Sequence, residues 1–142
     1  GEDVAVSMPN PETEGIAQKA MKAFEKAGGE ELVKKIMETK AANGTTFITQ
    51  IHHRQTPMRI MEKKSDAGPV WITEALFQKR IGNPIDMVEI PDDYNITSTT
   101  AAGIFKDAPH PEAASDFLRF LTGDKAAAIY KEYGFIPIKE KP

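Results

Sequence analysis

Apolar residues recur along the chain in two rhythms, short runs suited to strands and longer series at three-to-four spacing suited to helices. Val4 to Met8 is a short apolar run that ends at Pro9, the pattern of a buried strand. Asn10-Pro11 then reads as a helix start, because Asn caps free amides and Pro fits the first helical position. Ile16, Ala17, Ala20, Met21, Phe24 and Ala27 follow at helical spacing, and Gly28-Gly29 stops the series. Leu32, Val33, Ile36 and Met37 mark one face of a second short helix. Asn43-Gly44 predicts a turn, and Thr45 to Ile51 an extended stretch.

Thr56-Pro57 repeats the cap-plus-proline signature ahead of Met58, Ile60 and Met61. Asp66-Ala67-Gly68 predicts a turn into a short strand, Pro69 to Ile72. Thr73 is placed to cap another helix bearing Ala75, Leu76, Phe77 and Ile81, ended by Gly82-Asn83-Pro84. Ile85 to Ile90 and Ile96 to Phe105 are rich in β-branched residues and read as strands. Two helices close the chain. One starts at His110-Pro111 and carries Ala114, Phe117, Leu118 and Leu121; the other runs near Asp124 to Tyr133, with Gly134 as its stop. Strands alternating with helices predict an α/β domain, a sheet with helices on both faces. The weakly apolar stretch Ile96 to Ile104 stands apart and reads as a crossover leaving the main sheet, with the helices after it in a separate layer.

Composition narrows the function classes. The chain has 142 residues, a size that fits one domain. Its 18 basic and 21 acidic residues leave a net charge of −3, without the basic footprint of a nucleic-acid binder. The absence of cysteine removes disulfides, thiolate zinc sites and cysteine nucleophiles. No apolar run approaches the ~18 residues of a membrane span. Gly1-Glu2-Asp3 runs straight into Val4-Ala5-Val6 without a signal peptide, the start expected of a mature chain or an excised fragment.

Residues that carry chemistry lie at strand-to-helix junctions. The carboxylate pairs Asp92-Asp93, Glu30-Glu31 and Glu12/Glu14 fall in loops or helix starts, where acids serve the helix dipole. There is no Gly-x-Ser-x-Gly elbow, phosphate loop or dinucleotide fingerprint, so neither a catalytic set nor a cofactor is expected. His52-His53 are adjacent. Neighbours on a strand point to opposite faces and on a helix diverge by about 100°, so the pair is not expected to hold a metal. The segment from Ile51 to Pro57 lies between a strand and a helix, where free amides and the dipole favour an anion. There Arg54 offers a bidentate fork, while Gln55 and Thr56 offer neutral donors and His53 a ligand-facing ring. The alternative is that Thr56 only caps and Arg54 is solvated. Asn10, Thr13 and Glu14 form a second junction of this kind, and Trp71, the one tryptophan, a third; packing in the core is the alternative for Trp71. In α/β sheets such junctions cluster at the carboxyl ends of strands, where ligands bind. Asn10, Thr13, Glu14, His53, Arg54, Gln55, Thr56 and Trp71 are therefore the candidate ligand contacts.

The closing segment resembles a known family. Ala108-Pro109-His110-Pro111-Glu112-Ala113-Ala114, then Phe117-Leu118-Arg119-Phe120-Leu121, Ala126 to Tyr130 and Tyr133-Gly134-Phe135 are similar to the C-terminal signature of type II periplasmic solute-binding proteins, nearest their molybdate- and tungstate-binding branch. Arg54-Gln55 opening a helix, then Asp66-Ala67-Gly68 and Val70-Trp71 leading to Thr73-Glu74-Ala75, give a second match, and Pro9 to Ala17 a weaker third. The resemblance implies a non-enzymatic periplasmic or extracytoplasmic carrier. Its partners would be a small oxyanion such as molybdate, tungstate or sulfate, trapped between two α/β lobes, and the membrane permease of an ABC importer. On this reading residues 1–95 correspond to the second lobe and 96–142 to a hinge strand and helical tail, with no counterpart of the N-terminal lobe. Phe117, Leu118, Phe120 and Leu121 would then need a partner, and a homodimer or swapped tail is one expected outcome. Two departures bear on the ligand: Trp71 replaces the family's cleft tyrosine and donates only through its indole nitrogen, and the negative charge of Glu14 opposes an oxyanion. A cationic, zwitterionic or metal-bearing solute stays open. A second class, the effector-sensing domain of a bacterial transcription regulator, shares the lobe architecture, and the Tyr133-Gly134-Phe135 tail favours the carrier.

Overall fold

The computed structural model describes residues 3–137. The chain divides into two units, Gly1–Ser98 and Thr99–Pro142. In the first, β1 (Val6–Met8) and β2 (Thr46–Ile48) pair in parallel, with Val6 opposite Thr46, Ser7 opposite Phe47 and Met8 opposite Ile48. Parallel neighbours need a long crossover. Here it is helical: α1 (Gly15–Lys34) runs through one π-helical stretch (Lys35–Thr39) into the short α2 (Lys40–Ala42). A third segment lies along the other side of β1 through a parallel bridge from Val6 to Ala67. It is held by Ser7 N–H donating to the Ala67 carbonyl at 2.8 Å and Ala5 N–H donating to Asp66 Oδ2 at 2.7 Å.

The core of this unit forms where α1 crosses the strands. Ile16, Ala17, Ala20 and Ala23 are buried at helical spacing, and Met8, Ala20 and Ile36 make a cluster joined by Val6, Phe24, Leu32, Met37 and Ile48. Phe24 and Leu32 lie on either side of a break at Gly28 and Gly29, whose backbones leave the helical region (Gly29 φ +70°). The predicted stop at Gly28-Gly29 is therefore a kink, after which helical bonding resumes; it lets both arms pack on one core. Small polar residues complete the interior. Ser7, Thr46, Thr49 and Thr56 are buried, and Thr46 Oγ1 donates to the Ile36 carbonyl at 2.8 Å, consistent with the rule that buried polar groups find partners. Helices α3 (Gln55–Met61) and α4 (Ile72–Arg80) follow.

Several local expectations give way to tertiary structure. Asn10-Pro11 opens a turn, with Asn10 Oδ1 accepting from Glu12 N–H at 2.9 Å, and the helix begins only at Gly15. Residues 69–72 form no strand; Trp71, with φ −62° and ψ 144°, is the N-cap of α4, and Thr73 lies inside the helix. Thr56 is likewise inside α3 and does not cap it. Residues 85–90 and 96–105 have no strand pairing, and Val88 is 89% exposed. Strand character needs a neighbouring strand and a half-buried face, and among the described residues these stretches have neither. The sheet among the described residues has two strands, so the fold is mixed α/β with a small parallel sheet, and the expected sheet covered on both faces is not what is seen.

The second unit carries α5 (Pro111–Leu121) and α6 (Asp124–Glu132), which contact each other. Pro111 and Glu112 occupy the first turn of α5 and Arg119 its last, an order that suits the helix dipole. Gly134 ends α6 in the left-handed region (φ +83°), and Phe135 N–H returns to the Tyr130 carbonyl at 2.9 Å. Phe117 and Phe120 stay exposed, at 61% and 47%.

Candidate functional site

The three parallel segments of the first unit each send a loop from their carboxyl end: β1 into residues 9–14, β2 into 49–54, and the Ala67 segment into 68–71. These loops converge on one open cavity of about 330 Å³. Its walls are Thr13, Glu14, Gly15 and Ile16 at the start of α1, Ile51, His52 and His53 ahead of α3, and Trp71 at the start of α4. This is the edge at which α/β sheets bind ligands.

The first wall is tied to the second. Glu14 Oε1 accepts from Asn10 N–H at 3.1 Å and from the hydroxyl of Thr49, while Thr49 Oγ1 itself accepts from Asn10 N–H at 3.0 Å. The other Glu14 oxygen, Oε2, is buried without a hydrogen-bond partner. In the second wall the loop folds on its own side chains. Gln55 Oε1 accepts from the amides of Gln50 (2.5 Å) and Ile51 (2.7 Å), and His52 Nδ1 accepts from Arg54 N–H at 3.1 Å. Those loop amides are therefore occupied.

A buried carboxylate joins the second wall to the third. Glu74 lies in the first turn of α4, and its N–H donates to the Trp71 carbonyl at 2.9 Å. Its Oε2 is 3.4 Å from His53 Nε2 and 3.7 Å from Arg54 Nε, while Oε1 accepts from Gln78 Nε2 at 2.7 Å. The Arg54 guanidinium also lies 4.8 Å from the centroid of the Phe77 ring, a cation–π arrangement.

Of the residues singled out from the sequence, Thr13, Glu14, His53 and Trp71 come together around the cavity. The other four are not among its walls. Asn10 spends its side chain on the turn, Arg54 faces Glu74 and Phe77, and Gln55 holds the loop. Thr56 is buried against Ser7, their hydroxyl oxygens 3.3 Å apart. Gly15, Ile16, Ile51 and His52 in the walls, and Thr49 and Glu74 behind them, are not among the candidate contacts named from the sequence. Adjacency to Glu14 and His53 was the available signal for the wall residues; Thr49 and Glu74 gave none, because their partners are 35 and 21 positions away.

The cavity is thus walled by a tryptophan, two histidines, a glutamate, a threonine, an isoleucine of the loop ahead of α3, and Gly15 and Ile16 at the start of α1. Among the described residues no group of three His, Cys, Asp or Glu side chains is disposed to hold a metal ion. The fold is mixed α/β with a small parallel sheet and a cavity at the carboxyl edge of its strands. The chain matches the family model of the bacterial extracellular solute-binding proteins over residues 1–136 and belongs to that family. Membership carries extracytoplasmic solute binding, a small-molecule ligand and an associated transporter, in a family that is generally non-enzymatic. No curated protein and no solved structure matches the chain.

Proposed function

We propose that the chain captures a small polar solute in the cavity between the starts of α1 and α4 and delivers it to the membrane permease of an ABC importer. The convergence of three carboxyl-end loops on one cavity supports this reading most directly. Residues 1–95 serve as one lobe of the carrier, and 96–142 as its hinge segment and tail. The cavity is open, whereas ligand sites bury about 70–90% of a drug-sized ligand; closure by an opposing lobe supplies the missing enclosure.

For the ligand, the family resemblance favours an oxyanion such as molybdate, tungstate or sulfate, and the start of α1 in the cavity wall supports it. Glu14 in the same wall favours a second reading, a solute presenting an ammonium or another donor group. Arg54, held by Glu74 and Phe77, gives the oxyanion reading no support. Calorimetry with molybdate, tungstate, sulfate and a set of zwitterionic and cationic solutes tests both readings, with Trp71 fluorescence recorded in parallel. Heat that vanishes in His53→Ala and in Trp71→Ala, together with a Trp71 response that vanishes in His53→Ala, is expected for one class. Silence with every oxyanion removes the oxyanion version.

A further inference from the structure

The geometry points to Glu74 as a positioning residue that sets the distance between the histidine wall and the tryptophan wall of the cavity. The inference rests on reading that cavity as the solute site, although Glu74 is not among the residues that line it. Glu74 is buried, 6% exposed, in the first turn of α4. A buried carboxylate is costly unless its oxygens are occupied. Here both are: Oε1 by the Gln78 amide, and Oε2 by His53 Nε2 and Arg54 Nε, which approach from the loop ahead of α3. Gln78 is held in turn by Asn83, whose Nδ2 donates to Gln78 Oε1 at 2.5 Å. The carboxylate is therefore fixed from its own helix and reaches outward to the loop.

The consequence for the cavity is geometric. Trp71 caps the helix that carries Glu74, so the indole moves with that carboxylate. His53 is tethered to the carboxylate directly. His52 is oriented by the Arg54 amide, and the Arg54 side chain shares the same oxygen of Glu74. Both rings of the second wall thus refer to one buried group. With Nδ1 of His52 accepting from Arg54 N–H, a neutral His52 ring keeps its proton on Nε2. A carboxylate 3.4 Å from His53 Nε2 favours the proton at that nitrogen too.

The test uses the ligand-free full chain, so a failure to find a solute would speak against the carrier reading and leave this result intact. The single tryptophan reports the third wall and the imidazole ¹⁵N signals report the second. Glu74→Gln keeps an acceptor for Gln78 and removes the charge. It is expected to shift the His53 ring signals and to move Trp71 emission to longer wavelength with greater acrylamide quenching. Shortening the side chain in Glu74→Asp is expected to restore the signals only in part. His53→Asn and Arg54→Gln act from the half-exposed side of the same contact, and each is expected to move Trp71 in the same direction. Trp71 signals unchanged in the folded variants, with helicity by circular dichroism intact, would overturn the assignment. If Glu74→Gln fails to fold, the two loop variants decide alone: silence of Trp71 in both overturns it.

Discussion

The guanidinium of Arg59 donates through Nη1 to Ser7 Oγ at 3.1 Å, tying α3 to β1. The same nitrogen donates to the Phe47 carbonyl at 3.1 Å, and Nη2 donates to the Ile48 carbonyl at 3.0 Å. Ser7 is fully buried, and the guanidinium lies 5.9 Å from the Phe47 ring centroid. One side chain therefore satisfies two carbonyls of β2 and a buried hydroxyl of β1. Hydrogen bonds from a charged donor contribute about 1.5–3 kcal/mol, and stranded buried acceptors add to the loss. Arg59→Met is expected to lower unfolding free energy by about 2–3 kcal/mol in urea melts. Arg59→Lys, which keeps the charge and loses the fork, should recover only part of it. An unchanged midpoint in Arg59→Met would show that water replaces these contacts freely.

Gly68 carries the chain from the Ala67 bridge toward Trp71. A Cβ placed there would meet the Ser7 carbonyl oxygen at 2.4 Å and Thr56 Cγ2 at 2.5 Å. Neither neighbour can swing aside, since one is strand backbone and the other a buried β-branched side chain. Gly68→Ala is expected to cost about 1–3 kcal/mol, as overpacking does. Gly103→Ala, with nothing within 4 Å, is the control and should stay within about 0.5 kcal/mol. Thermal melts that do not separate the two would mean that the Gly68 contact relaxes without cost.

Gly29 holds φ at +70° with ψ at −175°, a region essentially confined to glycine that costs other residues about 1–3 kcal/mol. Gly29→Ala therefore penalises the kink that lets Leu32 and Met37 reach the cluster around Met8. Loss of stability of that size is expected, with faster amide hydrogen exchange across residues 30–40. Protection equal to the parent chain over that stretch would show that the second arm does not depend on the kink.

What could be read from the sequence follows from how local each signal is. The tail helices were legible because Pro111 and Gly134 act within one turn of their own helix ends. The break at Gly28-Gly29 was legible for the same reason. Strands at 69–72, 85–90 and 96–105 were not, since β-branched residues favour a strand only where another strand lies alongside. At the cavity, the three junctions could be located, but not the fate of their side chains. Arg54 reads in sequence as an anion fork or a solvated side chain, because nothing near it shows that Glu74 and Phe77, 20 and 23 positions on, occupy it. Thr56 reads in sequence as a ligand donor or a cap, and a partner 49 positions away takes its hydroxyl instead.

Glu14 gives the sharpest experiment on the ligand. Its carboxylate belongs to a cavity wall, with one oxygen bonded to Asn10 and Thr49 and the other without a partner. Two unit charges about 5 Å apart interact by ~1 kcal/mol in water-like surroundings and by ~3 kcal/mol at an effective dielectric constant of ~20. Glu14→Gln removes that interaction and keeps an oxygen to accept from Asn10 N–H and the Thr49 hydroxyl. For an oxyanion the repulsion disappears, and affinity is expected to rise roughly five- to a hundredfold. For a solute with an ammonium group the attraction disappears, and affinity should fall by a similar factor. The sign of the change in calorimetric Kd therefore assigns the ligand class, and opposing the two classes on one variant guards against a general loss of fold. An affinity that moves in neither direction would place Glu14 out of reach of the solute and leave Thr13, His53 and Trp71 to make the contacts.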